Sequence, residues 1–286
     1  MKTGQAAEKT IVFTPDKAVR QGFWIGWKEM FINLIQSREL IWRLFLRDFN
    51  AKYRQSLLGI SWAVLNPILV MGVFVFLNRA GILIIKDTKV VYPVFALIGI
   101  SLYGIFSTGL STATNSIIGA GSMVVKINFP KISLVISTFG QALVEFAVRL
   151  ILVAILFIYF RVVPPPAAIF FPVLLIPLLL LTLGLGFFLS LLSGIFRDTI
   201  HVVSLFTTFF LFVSPILYPL PETGLFVTFN AFNPVSQLII GCRDILLVGT
   251  LSNKIGFIWS SIFSVIVFMM SWRTFHISEP KIAERV

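Results

Sequence analysis

Six stretches of this 286-residue chain run nearly free of charge for long enough to cross a lipid bilayer. No other feature limits its fold as strongly, because about 20 apolar residues in a helix cover the roughly 30 Å of hydrocarbon. The stretches are residues 55–78, 90–125, 134–160, 162–196, 199–221 and 255–272. The second is longer than one span and holds a helix plus a loop. The third is interrupted by Glu145 and Arg149, and the fourth opens with Pro164, Pro165 and Pro166 before supplying a helix from about Phe170. Composition agrees: 57 % of the residues are hydrophobic and 12 % charged. Soluble chains carry about 45–50 % and about 25 %. A soluble globular protein is excluded, and the fold class is an all-α polytopic membrane protein.

Residues 224–248 are ambiguous. They are apolar but broken by Asn230, Asn233-Pro234, Gln237, Arg243 and Asp244. A seventh crossing there would put the two termini on opposite sides. The tendency of Lys and Arg to stay on the cytoplasmic side arbitrates. With six spans and both ends inside, the inner segments hold the ten basic residues of positions 1–59 together with Lys126, Lys131, Arg197, Arg273, Lys281 and Arg285. The outer segments hold Arg79, Lys86, Lys89, Arg161, Arg243 and Lys254. Six transmembrane helices are therefore expected, with a re-entrant hairpin at about 222–249 on the outer face. Broken backbone at that depth is tolerated only where protein or a water-filled cavity covers it.

The net charge of +11 belongs largely to this asymmetry, and nothing forms the basic stripe of a nucleic-acid binder. Within Arg38–Arg54, Glu39, Arg43, Arg47, Asn50 and Arg54 recur on one helical face, and Trp42, Phe45, Leu46, Phe49 and Tyr53 on the other. That pattern suits an amphipathic helix lying in the membrane interface. Residues 22–36 are a weaker candidate of the same kind. The domain reading is an N-terminal extension over 1–37, partly mobile or interfacial, an interface helix over 38–56, and one six-span domain over 57–286.

Enzyme chemistry has little to stand on. There is no G-x-x-x-x-G-K-[ST] loop for ATP and no nucleophile elbow. The single Cys242 and the two distant histidines, His201 and His276, argue against a disulfide or a metal centre. Acids beyond residue 59 do not cluster in sequence. No catalytic residue, cofactor or metal ligand is assigned to the chain.

Several short motifs stand in a particular order. Tyr53, Arg54, Ser56, Leu58 and Gly59 form a Y-[KR]-x-[ST]-x-L-G element, and Trp62, Leu65 and Pro67 a W-x-x-L-x-P start to the first span. Lys126-Ile127-Asn128-Phe129-Pro130-Lys131 reads K-x-x-F-P-K, Phe196-Arg197-Asp198 reads F-R-D, and Asn233-Pro234 and Glu279-Pro280 follow. Over residues 38–286 the chain resembles the bacterial polysaccharide-exporting ABC permeases of the type-2 exporter class. Residues 1–37 exceed that pattern. The resemblance implies a homodimeric permease of the bacterial inner membrane, with both termini cytoplasmic. It would work with two copies of a separate ATPase that holds ATP and Mg, and would move a lipid-linked glycan such as O-antigen or capsule outward.

Each candidate site has two readings. Arg43, Arg47 and Arg54 could meet the phosphate of a lipid-linked glycan through forked donors, or only anionic membrane lipid. The 119–131 loop, with Lys126, Asn128, Phe129, Pro130 and Lys131, would dock on the ATPase, or be an ordinary short basic loop. Arg197 and Asp198 would form a cytoplasmic turn. Glu145 and Arg149, four residues apart, would be a polar patch on the path or dimer seam, or a mutually neutralising buried pair. Tyr103, Phe106 and Tyr218 could give a sugar polymer aromatic walls, or face lipid and packing partners. The rival functions are an ABC exporter of a drug or lipo-oligosaccharide, and an ion-driven flippase or membrane transferase in which Glu145 would act.

Overall fold

In the computed structural model, residues 23–282 are described apart from 55–56, 83–84, 86–87, 89, 122, 128 and 222. Asn128 and Ser56 therefore lie outside the described residues, as does the 1–22 portion of the N-terminal extension. Every described element is helical. Among the described residues two helices precede the spans, α1 (Phe23–Gln36) and α2 (Arg38–Arg54). A 3-10 turn, Gly59–Ser61, leads into α3 (Trp62–Arg79). There follow α4 (Tyr92–Ala120), the single turn α5 (Met123–Lys126), α6 (Ile132–Tyr159), α7 (Phe171–Ile195), α8 (Thr199–Val213), α9 (Leu225–Phe232), α10 (Pro234–Leu247) and α11 (Lys254–Ile282).

The all-α polytopic fold expected from the sequence is present. Among the described residues five helices, α3, α4, α6, α7 and α11, are long and apolar enough to span a bilayer. α9 and α10 form a pair bent by 88° at Asn233, the geometry expected of a re-entrant hairpin. The Asn233 side chain caps α10 by accepting from the backbone N–H groups of Val235 and Ser236, and Pro234 occupies the first helical turn. Both preferences belong to helix starts, so the chain breaks where the sequence says it must.

The remaining span departs from expectation. The 199–221 run carries no Asp, Glu, Lys or Arg, yet α8 ends at Val213 after 15 residues. At 1.5 Å per residue it covers about 22 Å, short of the roughly 30 Å of hydrocarbon. Pro215 is the cause, since the residue before a proline is driven out of the α region. Ser214 is extended, at ψ 143°. Residues 214–221 then continue as irregular backbone against α4 and α10.

α4 is the centre of the bundle. In its apolar window 83 % is buried, against 11 % for the peripheral span Gly59–Arg79. α6 and α7 pack along α4, and α11 packs on α7. Small residues set the approach: a Cβ on Gly184 of α7 would fall 2.7 Å from the Phe268 Cα of α11. Two apolar clusters result. The larger joins α4, α6, α7 and α10 around Phe106, Leu178, Leu181 and Leu238. The smaller sits at one end, where Met30 of α1 and Leu44 of α2 meet Ile117, Val135, Phe187, Trp272 and Phe275. That end also carries α5 and is called the near end here; the hairpin marks the far end. Trp27 meets Trp272 edge-on at 5.6 Å and Phe31 at 4.9 Å completes the group, so α1 lies against the last turns of α11. The first and last described helices therefore meet at the near end, which fits an even number of crossings.

Candidate functional site

Two polar assemblies stand out in an otherwise apolar molecule. The first joins the amphipathic α2 to the transmembrane α6. The aromatic side of α2 is a continuous row of rings, with Trp42, Phe45, Phe49 and Tyr53 spaced 4.8 to 5.6 Å from ring to ring. Phe45 lies over Gly140 of α6, where a Cβ would come 3.1 Å from the ring. One turn further along, Glu145 receives three donors. Lys52 Nζ lies 2.7 Å from its Oε1, the Tyr53 hydroxyl donates to the same oxygen at 3.1 Å, and Arg149 Nη2 lies 3.1 Å from Oε2. Burial and the Glu145 carboxylate push the Tyr53 phenol up to about 12, so it remains a donor.

Arg149 in turn rests on α4. An added Cβ on Gly104 would fall 1.5 Å from its Nη1, so the guanidinium fills the notch that this glycine leaves. The pair does neutralise itself, as one reading of the sequence had it, but it also serves as the anchor for α2. Lys52 was not among the sequence candidates. Its signal was available: Glu145 and Arg149 leave the carboxylate with a free oxygen at membrane depth, and such an oxygen requires a donor.

The loop at the near end is held by a second long-range contact. Glu279 of α11 accepts a hydrogen bond from the backbone N–H of Lys131, and His276 Nδ1 lies 3.9 Å from its other oxygen. Lys131 itself is buried, whereas Lys126 is exposed. Phe129 packs on the near-end cluster. Arg197 and Asp198 form an exposed turn between α7 and α8. Of the interface arginines, Arg43 pairs with Glu39 at 2.6 Å and Arg47 with Asp48 at 2.7 Å. Exposed pairs of this kind contribute only about 0–1 kcal/mol, so a stronger anion can replace the carboxylates. Arg54 is exposed.

The far end carries the second assembly. Beyond Val213 the carbonyls have no helical partners, and donors from the hairpin and α4 supply them. Asn230 Nδ2 donates to Val213 O at 3.1 Å, Arg243 Nη1 to Pro215 O and Ile216 O at 3.3 and 3.2 Å, and Tyr92 to Leu217 O at 2.9 Å. Asn233, Ser214, Ser236 and Asn230 are linked among themselves, and Gln237 bonds to Asn230 O and to Asn253. Irregular backbone at membrane depth is thus covered by protein, as the physics requires. Gly99 permits the approach, since a Cβ there would fall 2.3 Å from Ile216 O. Arg243 was read from the sequence only as an outer charge; its role in holding this backbone was missed.

The aromatic candidates are separated by the fold. Tyr103 and Phe106 are 5 % and 1 % exposed, closed in between α4 and α8. The Tyr103 hydroxyl donates to Thr207 O and Phe106 lies 6.0 Å from Phe210. Tyr218 is half-buried at the far end, its hydroxyl donating to Phe212 O and its ring 5.6 Å from Phe226.

With this geometry in view, the sequence comparisons acquire a location. The family model for the ABC-2 type transporter matches residues 39–247, from α2 through α10. The chain belongs to the ABC-2 type transporter family. It is 32 % identical over 187 residues to the O-antigen export system permease protein RfbA of Myxococcus xanthus, covering 65 % of this chain and 71 % of that protein. It is 26 % identical over 213 residues to the protein of the same name from Klebsiella pneumoniae, covering 73 % and 80 %. Both polar assemblies lie inside the family match, except for Asn253. The contact from Glu279 to Lys131 reaches outside it, so this ABC-2 transporter chain closes its near end with a segment beyond the shared region.

Proposed function

We propose that this chain is the membrane subunit of an ATP-driven exporter that moves a lipid-linked glycan of O-antigen type from the cytoplasmic to the outer face of a bacterial inner membrane. The observation that carries the reading is the family match, together with relatives named as O-antigen export permeases. In this reading the chain acts as a homodimer with two copies of an ATPase subunit that holds ATP and Mg. The near end is cytoplasmic, the hairpin faces outward, and the chain performs no covalent chemistry.

The geometry supports a division of labour. Lys126 and the Arg197-Asp198 turn are exposed at the near end and offer charged contacts to the ATPase. Phe129, Pro130 and Lys131 hold the loop against the near-end cluster and α11, so a push on the loop reaches α6 and α11. Arg43, Arg47 and Arg54 face outward on α2 and suit the phosphate of the lipid carrier, since a guanidinium binds phosphate through two parallel donors. Glu145, with Arg149, transmits a tilt of α2 to α6 and α4. Tyr218 stands at the outer mouth. Tyr103 and Phe106 meet cargo only where α8 parts from α4.

The test is a purification from detergent of the tagged chain expressed with its genomic neighbours. Recovery of a P-loop ATPase in equal amount is expected, with its loss on Lys126→Glu. Lys131 is a poorer probe, being buried. A stable chain that moves a lipid-linked substrate with no ATPase present overturns the reading.

A further inference from the structure

Arg243 differs from Arg149, the other arginine buried among the described residues. Arg149 has Glu145; Arg243 is 4 % exposed and makes no ion pair among the described residues. One of its nitrogens, Nη1, serves the Pro215 and Ile216 carbonyls, and its face lies 3.8 Å from the centre of the Phe95 ring. Nε and Nη2 have no acceptor among the described residues. Arg243 lines a cavity of about 310 Å³ at the far end. A buried cation with an open donor edge is costly unless an anion meets it.

Asp244 lines the same cavity. Its Oδ2 accepts from the Ser252 backbone N–H at 3.0 Å, and its Oδ1 has no donor among the described residues. The cavity amides are committed elsewhere: Gln237 and Asn253 bond to each other at 3.1 Å, and Gln237 also to Asn230 O. The cavity therefore carries a guanidinium and a carboxylate of opposite charge, with the Ser252 hydroxyl, beside an apolar wall that includes Ile240 and Leu247. A water occupies about 30 Å³, so the space equals on the order of ten waters and admits a small head group.

Height completes the argument. The lining residues Thr88 and Asn253 stand just before α4 and α11 begin, and the ends of helices long enough to cross the hydrocarbon lie near the lipid head groups. We propose that the cavity between Arg243 and Asp244 binds the head group of a zwitterionic phospholipid of the phosphoethanolamine type. Its phosphate meets the open edge of Arg243, its ammonium meets Asp244, and its ester carbons lie on the apolar wall. The lipid then neutralises a buried arginine that has no ion pair among the described residues, and it fastens the hairpin to α4 and α11.

The test is native mass spectrometry on the full chain in detergent, with phosphatidylethanolamine and phosphatidylglycerol of matched acyl chains. One tightly held phosphatidylethanolamine per protomer is expected, preferred by about tenfold over phosphatidylglycerol, the scale of one charge-assisted hydrogen bond. Asp244→Asn keeps an acceptor for Ser252 and is expected to abolish the preference. Lys254→Gln, which changes charge at the same end outside the cavity wall, is expected to preserve it. Equal retention of the two lipids, a preference that survives Asp244→Asn, or displacement of the lipid by a soluble glycan fragment overturns the proposal. Should Asp244→Asn not fold, the comparison of the two lipids on the unmodified chain decides alone.

Discussion

Glu145 carries more of this structure than its single charge suggests. It is 7 % exposed, and its carboxylate holds Lys52 and Tyr53 from one helix and Arg149 from its own. Removing one partner of a buried ion pair costs about 3–5 kcal/mol, because the other charge is left without compensation. Glu145→Ala is expected to lower thermal stability in detergent on that scale. Glu145→Ala combined with Arg149→Met is expected to be less destabilised than Glu145→Ala alone, since the charge left without a partner, Lys52, is partly exposed; additive loss would show that the pair does not interact. Gly104 belongs to the same unit. Its substitution by Ala places a methyl where the Arg149 guanidinium lies and is expected to destabilise by about 1–3 kcal/mol, the range for overpacking. The effect is expected to shrink in an Arg149→Met background, and thermal unfolding of the four combinations measures it.

At the scale of elements, the informative unit is the broken end of α8 and the hairpin that repairs it. Asn233 serves both sides of the break: it caps α10 and donates to Ser214 Oγ at 3.2 Å. Asn233→Ala is expected to cost about 1–2 kcal/mol, the upper range for a helix cap. Limited proteolysis is expected to show faster cleavage in the hairpin, with the near end unchanged. The hairpin was legible in the sequence, because Asn233-Pro234 and the polar residues around it forbid a continuous span. The shortness of α8 was less so. The 199–221 run carries no Asp, Glu, Lys or Arg to its end, and hydropathy alone registers lipid compatibility rather than helix length. Pro215 held the information, but the donors that make an early stop affordable, Asn230, Tyr92 and Arg243, come from elements that no sequence window contains. The same holds for α2, where the two faces were readable but Lys52 meets a residue 93 positions away.

For the molecule as a whole, the near end is closed by contacts between distant parts of the chain. Glu279 and Lys131 are 148 residues apart, and their bond fixes the loop before α6 to the last helix. Without it the loop keeps Phe129 on the near-end cluster but loses the acceptor that satisfies the first turn of α6. An unsatisfied buried donor costs about 1–3 kcal/mol. That cost favours local opening, and cleavage of a transiently open segment follows its population when closing is fast. Glu279→Ala is therefore expected to raise the rate of tryptic cleavage after the exposed Lys126 by about five- to a hundredfold. Glu279→Gln, which retains a carbonyl acceptor, is expected to stay near the unmodified rate. The far end is expected to resist equally in both, because its carbonyls are held by Asn230, Tyr92 and Arg243 and not by α11. If Glu279→Ala leaves the cleavage after Lys126 unchanged, the loop is held by Phe129 and the cluster alone. A push on the loop would then reach α6 without engaging α11.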